Sequence, residues 1–437
     1  MKILVLSKEV WRDDTNGGNV LSNMFSGFNA EFAQIYCAFG TPSNNICKRY
    51  FQITPKEVVK NFFRHGAVGL ERTFDEYPND TDIDRKTEQS DKKIHGFFHK
   101  HSWGMFHAFE DLVWNTSNWK NKKLTKFIDD FAPDIIFAPC YGNKFMLKLT
   151  RFVAKRTGKK VISYISDDSY TLRQFSLSPY FWIRRLGVRR QLRKTFPYYS
   201  LVYTMTETQK AQCEKDFGAN MKILRKSGIC PDEPLKTTTP PIKMVYAGGI
   251  YCNRWKTLKA VADELRVINT DGLKATLAVY TGSPITKKIN KALNDGRSSV
   301  ICGAVSTETL REIYRDSDIA LHVESFDLKN RLAVRMSFST KIVDCLASGC
   351  AVMAICDKKQ GGYEYLKSEN AAICIDDLKK IKSVLQGVVE NPAVIDEYRV
   401  LAKECVRRNH DYNAISDAVK SDFLSVISEN KDESISD

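Results

Sequence analysis

The chain has 437 residues, 43% of them hydrophobic and 27% charged, and a formal net charge of +14. That length suits two domains, and the composition is globular, which excludes disordered and fibrous classes. No apolar run approaches a membrane span, and the basic balance leaves nucleic acid, an anionic membrane or phosphorylated substrates as partners to weigh.

The opening "MKILVLSKEVW" has too short an apolar stretch for a signal peptide and is expected to be a first β-strand. "TNGGNV" (15–20) reads as a Gly-rich turn leading into the helical stretch "VLSNMFSGF". "EFAQIYCAF" follows as a strand and "ITPKEVVKNFFRHG" as a helix, with the polar segment 75–100 as an irregular insertion. A helix is expected around 105–131, then strand "PDIIFAPC" (133–140), helix "NKFMLKLTRFVAKRTG" and strand "KVISYISDD" (160–168). Residues 182–196, "WIRRLGVRRQLRKTF", hold Arg184, Arg185, Arg189, Arg190, Arg193 and Lys194 with no acidic residue. Trp182, Ile183, Leu186, Leu192 and Phe196 add an imperfect apolar stripe at helical spacing. Two readings stay open for this stretch: a solvated basic helix packed on its own domain, or a helix lying near an anionic bilayer. Strand "SLVYTM", capped helix "TETQKAQCEKDFG" and strand "MKILRKSG" end the first series.

"CPDEPLKTTTPP" (230–241), with four prolines, is the expected interdomain linker. A second series starts with strand "IKMVYAGG", helix "RWKTLKAVADELRVIN", strand "KATLAVYTG" and helix "ITKKINKALND". Strand "SVICGAV", helix "STETLREIYRDS" and strand "IALHVES" come next, then a short helix opened by Ser339 and Thr340 and closed by Gly349. Strands "AVMAI" and "AAICI" and helices over 377–390 and 394–428 complete it. The reading is an α/β protein of two Rossmann-like domains whose parallel sheets face a cleft, 1–229 and 242–400. Helices over 401–428 are expected to pack back on the first domain, and 429–437 to be a disordered tail. Ligands in such sheets bind at the carboxyl ends of strands, beside helix N-termini.

Twelve cysteines lie scattered from Cys37 to Cys405 with no C-x-x-C pair, so they read as small buried hydrophobes in a reducing cytosol, and no metal site is expected.

Three stretches of the second domain carry the chemistry. "AGGIYCNRWKTL" (247–258) runs from a strand through Gly248 and Gly249 to Arg254 and Lys256 at the next helix start. "GAVSTETLREIYRDSDIALHVES" (303–325) brings Glu324 to a strand end, and "SFSTKIVDCLASGCAV" (337–352) supplies Ser339, Thr340, Lys341 and Asp344. In this order they resemble the donor-binding domain of GT-B-fold glycosyltransferases, closest to glycosyltransferase family four and related bacterial polysaccharide-assembly enzymes. The resemblance covers the second domain and, in outline, the first. It implies a nucleotide-sugar donor, a glycan or lipid-linked acceptor in surface polysaccharide or glycoconjugate biosynthesis, and retention of anomeric configuration by a front-face mechanism. No cofactor or metal is expected, and no nucleic-acid partner. The expected localisation is cytoplasmic, and peripheral at the inner face of the cytoplasmic membrane under the second reading of 182–196.

A nucleotide-sugar presents a diphosphate and a ribose. Backbone N–H groups from Ser339 to Lys341 offer unsatisfied donors and a positive dipole end for phosphate. Lys341 and Arg254 add full charges that neutralise the leaving diphosphate. Asp344, one turn beyond Lys341, suits the ribose hydroxyls. Family four carries two glutamates eight positions apart around this helix; here they fall on Met336 and Asp344. Its usual Arg and Lys pair falls on Gly249 and Arg254. Glu324 and Lys256 are the expected substitutes for the missing glutamate and cation. The bland alternatives are a tight turn at Gly248–Gly249 and plain helix caps with a surface ion pair at 339–344.

Gly17 and Gly18 resemble the family's glycine-rich loop, with a simple loop as the alternative. Asp167 and Asp168 end a strand whose loop points into the cleft, where the fold places an acceptor-side residue. The alternative is a helix cap for "SYTLRQF". Rival functions are a nucleotide-sugar epimerase of the same fold, whose acidic and histidine cluster is not visible, and a nucleic-acid-binding protein, suggested by charge only.

Overall fold

The computed structural model describes residues 1–12, 16–64, 66–75, 111, 113, 114, 116–230 and 234–435. Past Asp75, the expected insertion lies outside the described residues.

Eight strands build the first sheet: β1 (Lys2–Ser7), β2 (Glu31–Tyr36), β3 (Arg49–Gln52), β4 (Leu70–Thr73), β5 (Ile135–Pro139), β6 (Val161–Ile165), β7 (Tyr199–Thr204) and β8 (Met221–Ile223). Their order is β4-β3-β2-β1-β5-β6-β7-β8, parallel except at the β3–β4 edge. Six strands build the second: β9 (Ile242–Ala247), β10 (Ala275–Tyr280), β11 (Ser299–Gly303), β12 (Ile319–Val323), β13 (Ala351–Ile355) and β14 (Ile373–Ile375), in the order β11-β10-β9-β12-β13-β14. Both sheets reverse direction once, between β1 and β5 and between β9 and β12. Helices leave such a reversal on opposite faces, so a crevice opens at the carboxyl ends of those strands. The site is therefore placed by strand order before any side chain is considered.

Helices α1 (Asn16–Phe25), α2 (Pro55–Arg64), α3 (Lys122–Phe131), α4 (Lys144–Thr157), α5 (Pro179–Thr195) and α6 (Glu207–Phe217) flank the first sheet. Helices α7 (Arg254–Ile268), α8 (Lys287–Leu293), α9 (Thr307–Asp316), α10 (Leu328–Ala333), α11 (Lys341–Leu346), α12 (Gly361–Ser368) and α13 (Ile381–Glu390) belong to the second. α14 (Ala393–Asn409) and α15 (Tyr412–Ile435) end the described chain.

Several elements differ from the sequence reading. The helix expected over 105–131 is not continuous: Asn121 breaks it by accepting from the backbone N–H groups of Lys123 and Leu124 as the N-cap of α3. Strand β3, edge strand β4 and helices α10 and α12 were not anticipated, being four to eight residues long and without clear periodicity. The segment 394–428 is two helices, parted at His410, whose backbone carbonyl accepts from Gly228 N at 2.9 Å. The crossing to the first domain thus falls at 410–411, inside the stretch expected to be one helix. α15 continues to Ile435, through most of the tail expected to be disordered.

α15 is anchored by Phe423, which is fully buried and packs edge-on to Phe25 and Phe28 and tilted against Phe137. Asp422 beside it accepts from Tyr203 Oη at 2.8 Å and pairs with Lys222. The linker is pinned to the second domain, where Asp396 of α14 accepts from Thr238 N at 3.0 Å and Oγ1 at 2.7 Å. Phe423→Ala removes the anchor from an aromatic cluster that cannot collapse around the void. The expected cost is about 3–5 kcal/mol, read as a lower denaturant midpoint at unchanged slope.

Candidate active site

The crevice of the second sheet is built on a buried ion pair. Arg254 opens α7 just past β9, and Glu324 follows β12 on the other side of the reversal. The guanidinium grips the carboxylate with both arms, Nε to Oε2 at 2.8 Å and Nη2 to Oε1 at 2.7 Å, with side chains only 13% and 5% exposed. Burial alone would lower the pKa of Arg254, but the hydrogen bonds and charge of Glu324 outweigh it and raise it. Thr257 Oγ1 donates to the Glu324 carbonyl at 2.7 Å, and the Arg254 guanidinium sits 4.9 Å from the Tyr251 ring centroid.

This pair corrects two expectations. Arg254 was to clamp the diphosphate, and Glu324 was to replace the missing sugar-binding glutamate. Each instead satisfies the other, because a buried charge left alone costs several kcal/mol.

Lys341 is the cation that remains. It opens α11, is partly buried, and lies across the bare Cα of Gly248, where an added Cβ would stand 2.0 Å from its Nζ. Gly248 has φ +152°, a backbone conformation that favours glycine, and a side chain there would displace the Lys341 ammonium. Burial, and next the charge of Arg254, hold the Lys341 pKa below the ordinary lysine value. Gly249 gives its carbonyl to Tyr246 Oη at 2.7 Å, and an added Cβ there would strike the Tyr251 ring. Cys252 and Asn253 both have positive φ, 54° and 61°, and the Asn253 amide donates to Asp327 Oδ2 at 3.1 Å. Non-glycine residues held in this region mark a loop fixed by its surroundings.

The helix-terminus argument holds less well. α11 is six residues long, the Ser339 and Thr340 carbonyls accept from Ile342 N and Val343 N, and Thr340 makes no side-chain cap. Ser339 and Thr340 are partly buried, and Thr340 lines a small cavity with Val20, Asn23 and Met24 of α1. Gly17 and Gly18 fall in the first turn of α1, not in a turn before it. Lys256 is exposed on α7 with its ammonium 6.0 Å from the Trp255 ring. Met336, at the expected glutamate position, is fully buried.

Asp344 is exposed, and its partner is a residue the sequence reading passed over: Lys226, after β8 of the first domain, with Nζ 2.6 Å from Oδ1. The ribose carboxylate of the sequence reading is thus held by a cation across the cleft. Other bridges cross nearby. Ser337 Oγ donates to Asp167 Oδ1 at 2.8 Å, Thr206 Oγ1 to the Met336 carbonyl at 2.9 Å, and Thr208 Oγ1 to Glu364 Oε2 at 2.7 Å. Asp167 therefore lies in the cleft, as its loop position implied.

Asp168 does not. Its carboxylate is enclosed, accepting from Tyr170 N at 3.2 Å, Thr171 N at 2.8 Å, Thr171 Oγ1, Gln174 Nε2 at 3.0 Å and Arg185 Nη2 at 2.7 Å. It caps the turn after β6, and a catalytic role for it is corrected to a structural one.

His322 was also missed. It points inward from β12, is buried, and its Nε2 has no hydrogen-bond partner among the described residues. A polar residue inside "IALHVES" was the available signal, since a fully buried strand otherwise reads as an unbroken apolar run. Among the described residues no three His, Cys, Asp or Glu side chains form a group that could hold a metal ion.

Burial depresses the His322 pKa from 6.5 to about 4, and burial does the same for His410. Between those values the unfolded chain binds more protons than the folded one, so folding stability falls as pH drops from about 6.5 towards 4. At about 1.4 kcal/mol per unit, the two together should remove up to roughly 5 kcal/mol over that range, measurable by urea titrations.

Residues 249–420 match the family model described as glycosyl transferase-like. No curated protein matches the chain. Among solved structures, the Escherichia coli trehalose-6-phosphate protein bound with UDP-2-fluoro glucose is similar over 97% of this chain and 98% of its own, with TM-score 0.59 and 11% identity. Sucrose-phosphate synthase from Thermosynechococcus elongatus aligns over 98% and 100%, with TM-score 0.60 and 10% identity. The α,α-trehalose 6-phosphate synthase of Burkholderia multivorans aligns over 99% and 98%, with TM-score 0.58 and 12% identity. The two switch-point sheets are thus arranged in the GT-B fold of these structures, and residues 249–420 are similar to the glycosyl transferase-like model.

Proposed function

We propose that the protein transfers a sugar from a nucleotide-sugar to a glycan or lipid-linked acceptor in surface polysaccharide or glycoconjugate biosynthesis. The observation that carries this is Lys341: a partly buried ammonium laid over Gly248 at a switch point, with no carboxylate at ion-pair distance among the described residues. A dianionic leaving group is what such a cation suits, because its charge grows as the sugar departs. Lys341 supplies that counter-charge, and no metal is invoked. The E. coli neighbour binds a UDP-sugar analogue, which supports the donor class by analogy of fold.

Retention of configuration is the stereochemistry the family-four resemblance implies. Two carboxylates near the crevice are already paired, Glu324 with Arg254 and Asp168 with Arg185, while Asp167 in the cleft accepts from Ser337 Oγ. A diphosphate oxygen then takes the proton of the acceptor hydroxyl on the face from which the sugar leaves. Asp344 meets the ribose once Lys226 releases it.

Lys341→Ala should weaken nucleotide-sugar binding by about 1.5–3 kcal/mol, the value of a hydrogen bond to a charged group, while exposed Lys256→Ala changes it little. Calorimetric titration with a panel of nucleotide-sugars reads both, and equal binding by parent and Lys341→Ala would falsify the diphosphate assignment.

Removing the competitor tests the ribose contact. Lys226→Ala should tighten donor binding and Asp344→Ala weaken it. If neither moves the dissociation constant, Asp344 serves the domain contact alone.

A further inference from the structure

Helix α5 leaves two aliphatic side chains, Ile183 and Leu186, in solvent, which a helix that merely covers its own sheet would bury. Its inward face buries Arg185, Val188, Leu192 and Thr195. Its outward face carries Pro179, Ile183, Leu186, Arg190 and Arg193, spaced four, three, four and three residues apart on one stripe. Ile183 is 68% exposed and Leu186 53%. The loop leading into α5 extends the same surface with Leu172, Phe175 and Leu177, the last 89% exposed. That loop is held in place: Trp182 Nε1 donates to the Ser176 carbonyl at 3.0 Å, and Gln174 Nε2 reaches across to the Leu332 carbonyl at 3.1 Å. The apolar patch is therefore a fixed feature at the rim of the cleft.

The charge around it has one sign. From residue 169 to 206 the chain has seven cations and no acidic residue. Two of them are occupied within the fold, Arg185 by Asp168 and Arg189 by Asp216 at 3.3 Å. This corrects the expectation that all six cations of 182–196 face a partner. Arg173, Arg190, Arg193 and Lys194 are exposed beside the apolar side chains.

We propose that this surface docks the protein on an anionic lipid bilayer, with Leu172, Phe175, Leu177, Ile183 and Leu186 entering the interface and Arg190, Arg193 and Lys194 meeting lipid phosphates. A row of aliphatic side chains has no counterpart on a nucleic-acid backbone, and cations without acidic neighbours do not favour a second copy of the same surface. Docking sets the cleft rim at the membrane, where a lipid-linked acceptor presents its sugar. That consequence rests on the proposed transferase activity; the docking itself does not.

Sedimentation with phosphatidylcholine vesicles, with and without about a third phosphatidylglycerol, tests it at low and at roughly 0.5 M salt. The parent should bind the anionic vesicles at low salt only. The triple variant Arg190→Gln, Arg193→Gln, Lys194→Gln should lose roughly a hundredfold in partitioning, about fivefold per cation. Leu177→Ser with Ile183→Ser and Leu186→Ser should also reduce binding while leaving thermal unfolding unchanged, since these side chains touch solvent. Donor binding measured on the same variants should stay at the parental value, which separates failure of the docking surface from failure of the transferase reading. Binding that ignores lipid charge, or none to either vesicle, overturns the proposal. So does tighter binding to a short RNA, or dimerisation abolished by the serine variant.

Discussion

A bidentate ion pair taken out of water governs the site. Arg254 and Glu324 come from opposite sides of the strand-order reversal, so their contact ties the start of α7 to the end of β12 across the crevice. Neither charge is stable there without the other, because desolvation is repaid only by close, two-armed contact. The pair satisfies one cation and one anion within the fold, while Lys341 lies over Gly248 with no carboxylate at ion-pair distance among the described residues. The pair also fixes the loop between Gly248 and Asn253, whose two positive-φ residues need support from the groups they touch. His322, buried behind the pair and facing two cations, is held neutral by the same low-dielectric surroundings.

The two domains meet in two different ways. At the cleft mouth they touch through hydrogen bonds and one exposed ion pair: Ser337 to Asp167, Thr206 to the Met336 carbonyl, Lys226 to Asp344. Such exposed pairs contribute about 0–1 kcal/mol each. At the back the contact is buried and aromatic. Phe423 of α15 sits among Phe25, Phe28 and Phe137, and Arg225 stacks 4.3 Å over Tyr365, whose hydroxyl meets His410 Nε2 at 2.7 Å. One apolar cluster is continuous from β1 through α11 to α15. The back therefore holds the domains in register, and the weak contacts lie where a substrate must enter.

The architecture was legible because its signals are local and repeated. Fully buried parallel strands such as "KILVLS" and "AVMAI" are unbroken apolar runs, and the helices between them are long enough to show their period. The turn at Gly248 was legible because its backbone requirement is written in residue type. Short elements escaped. β3, β4, α10 and α12 have too few residues to establish a period, and the break at His410 is made by a partner almost two hundred residues away.

Residue chemistry by itself determined that cations, carboxylates and glycines would gather at the ends of β9 and β12, because α/β alternation directs those loops to one crevice. Which charge meets which was decided only by the tertiary structure. Arg254, Glu324, Lys226, Asp344, Asp168 and Arg185 are all chargeable in sequence. Pairing depends on separations of a few ångströms between residues 17 to 118 positions apart. The same holds for α5, whose composition announced a basic amphipathic helix. Only packing showed that Arg185 faces inward beside Val188 and Leu192 while Ile183 and Leu186 face outward, because a buried carboxylate at Asp168 supplied the partner that makes an inward arginine stable.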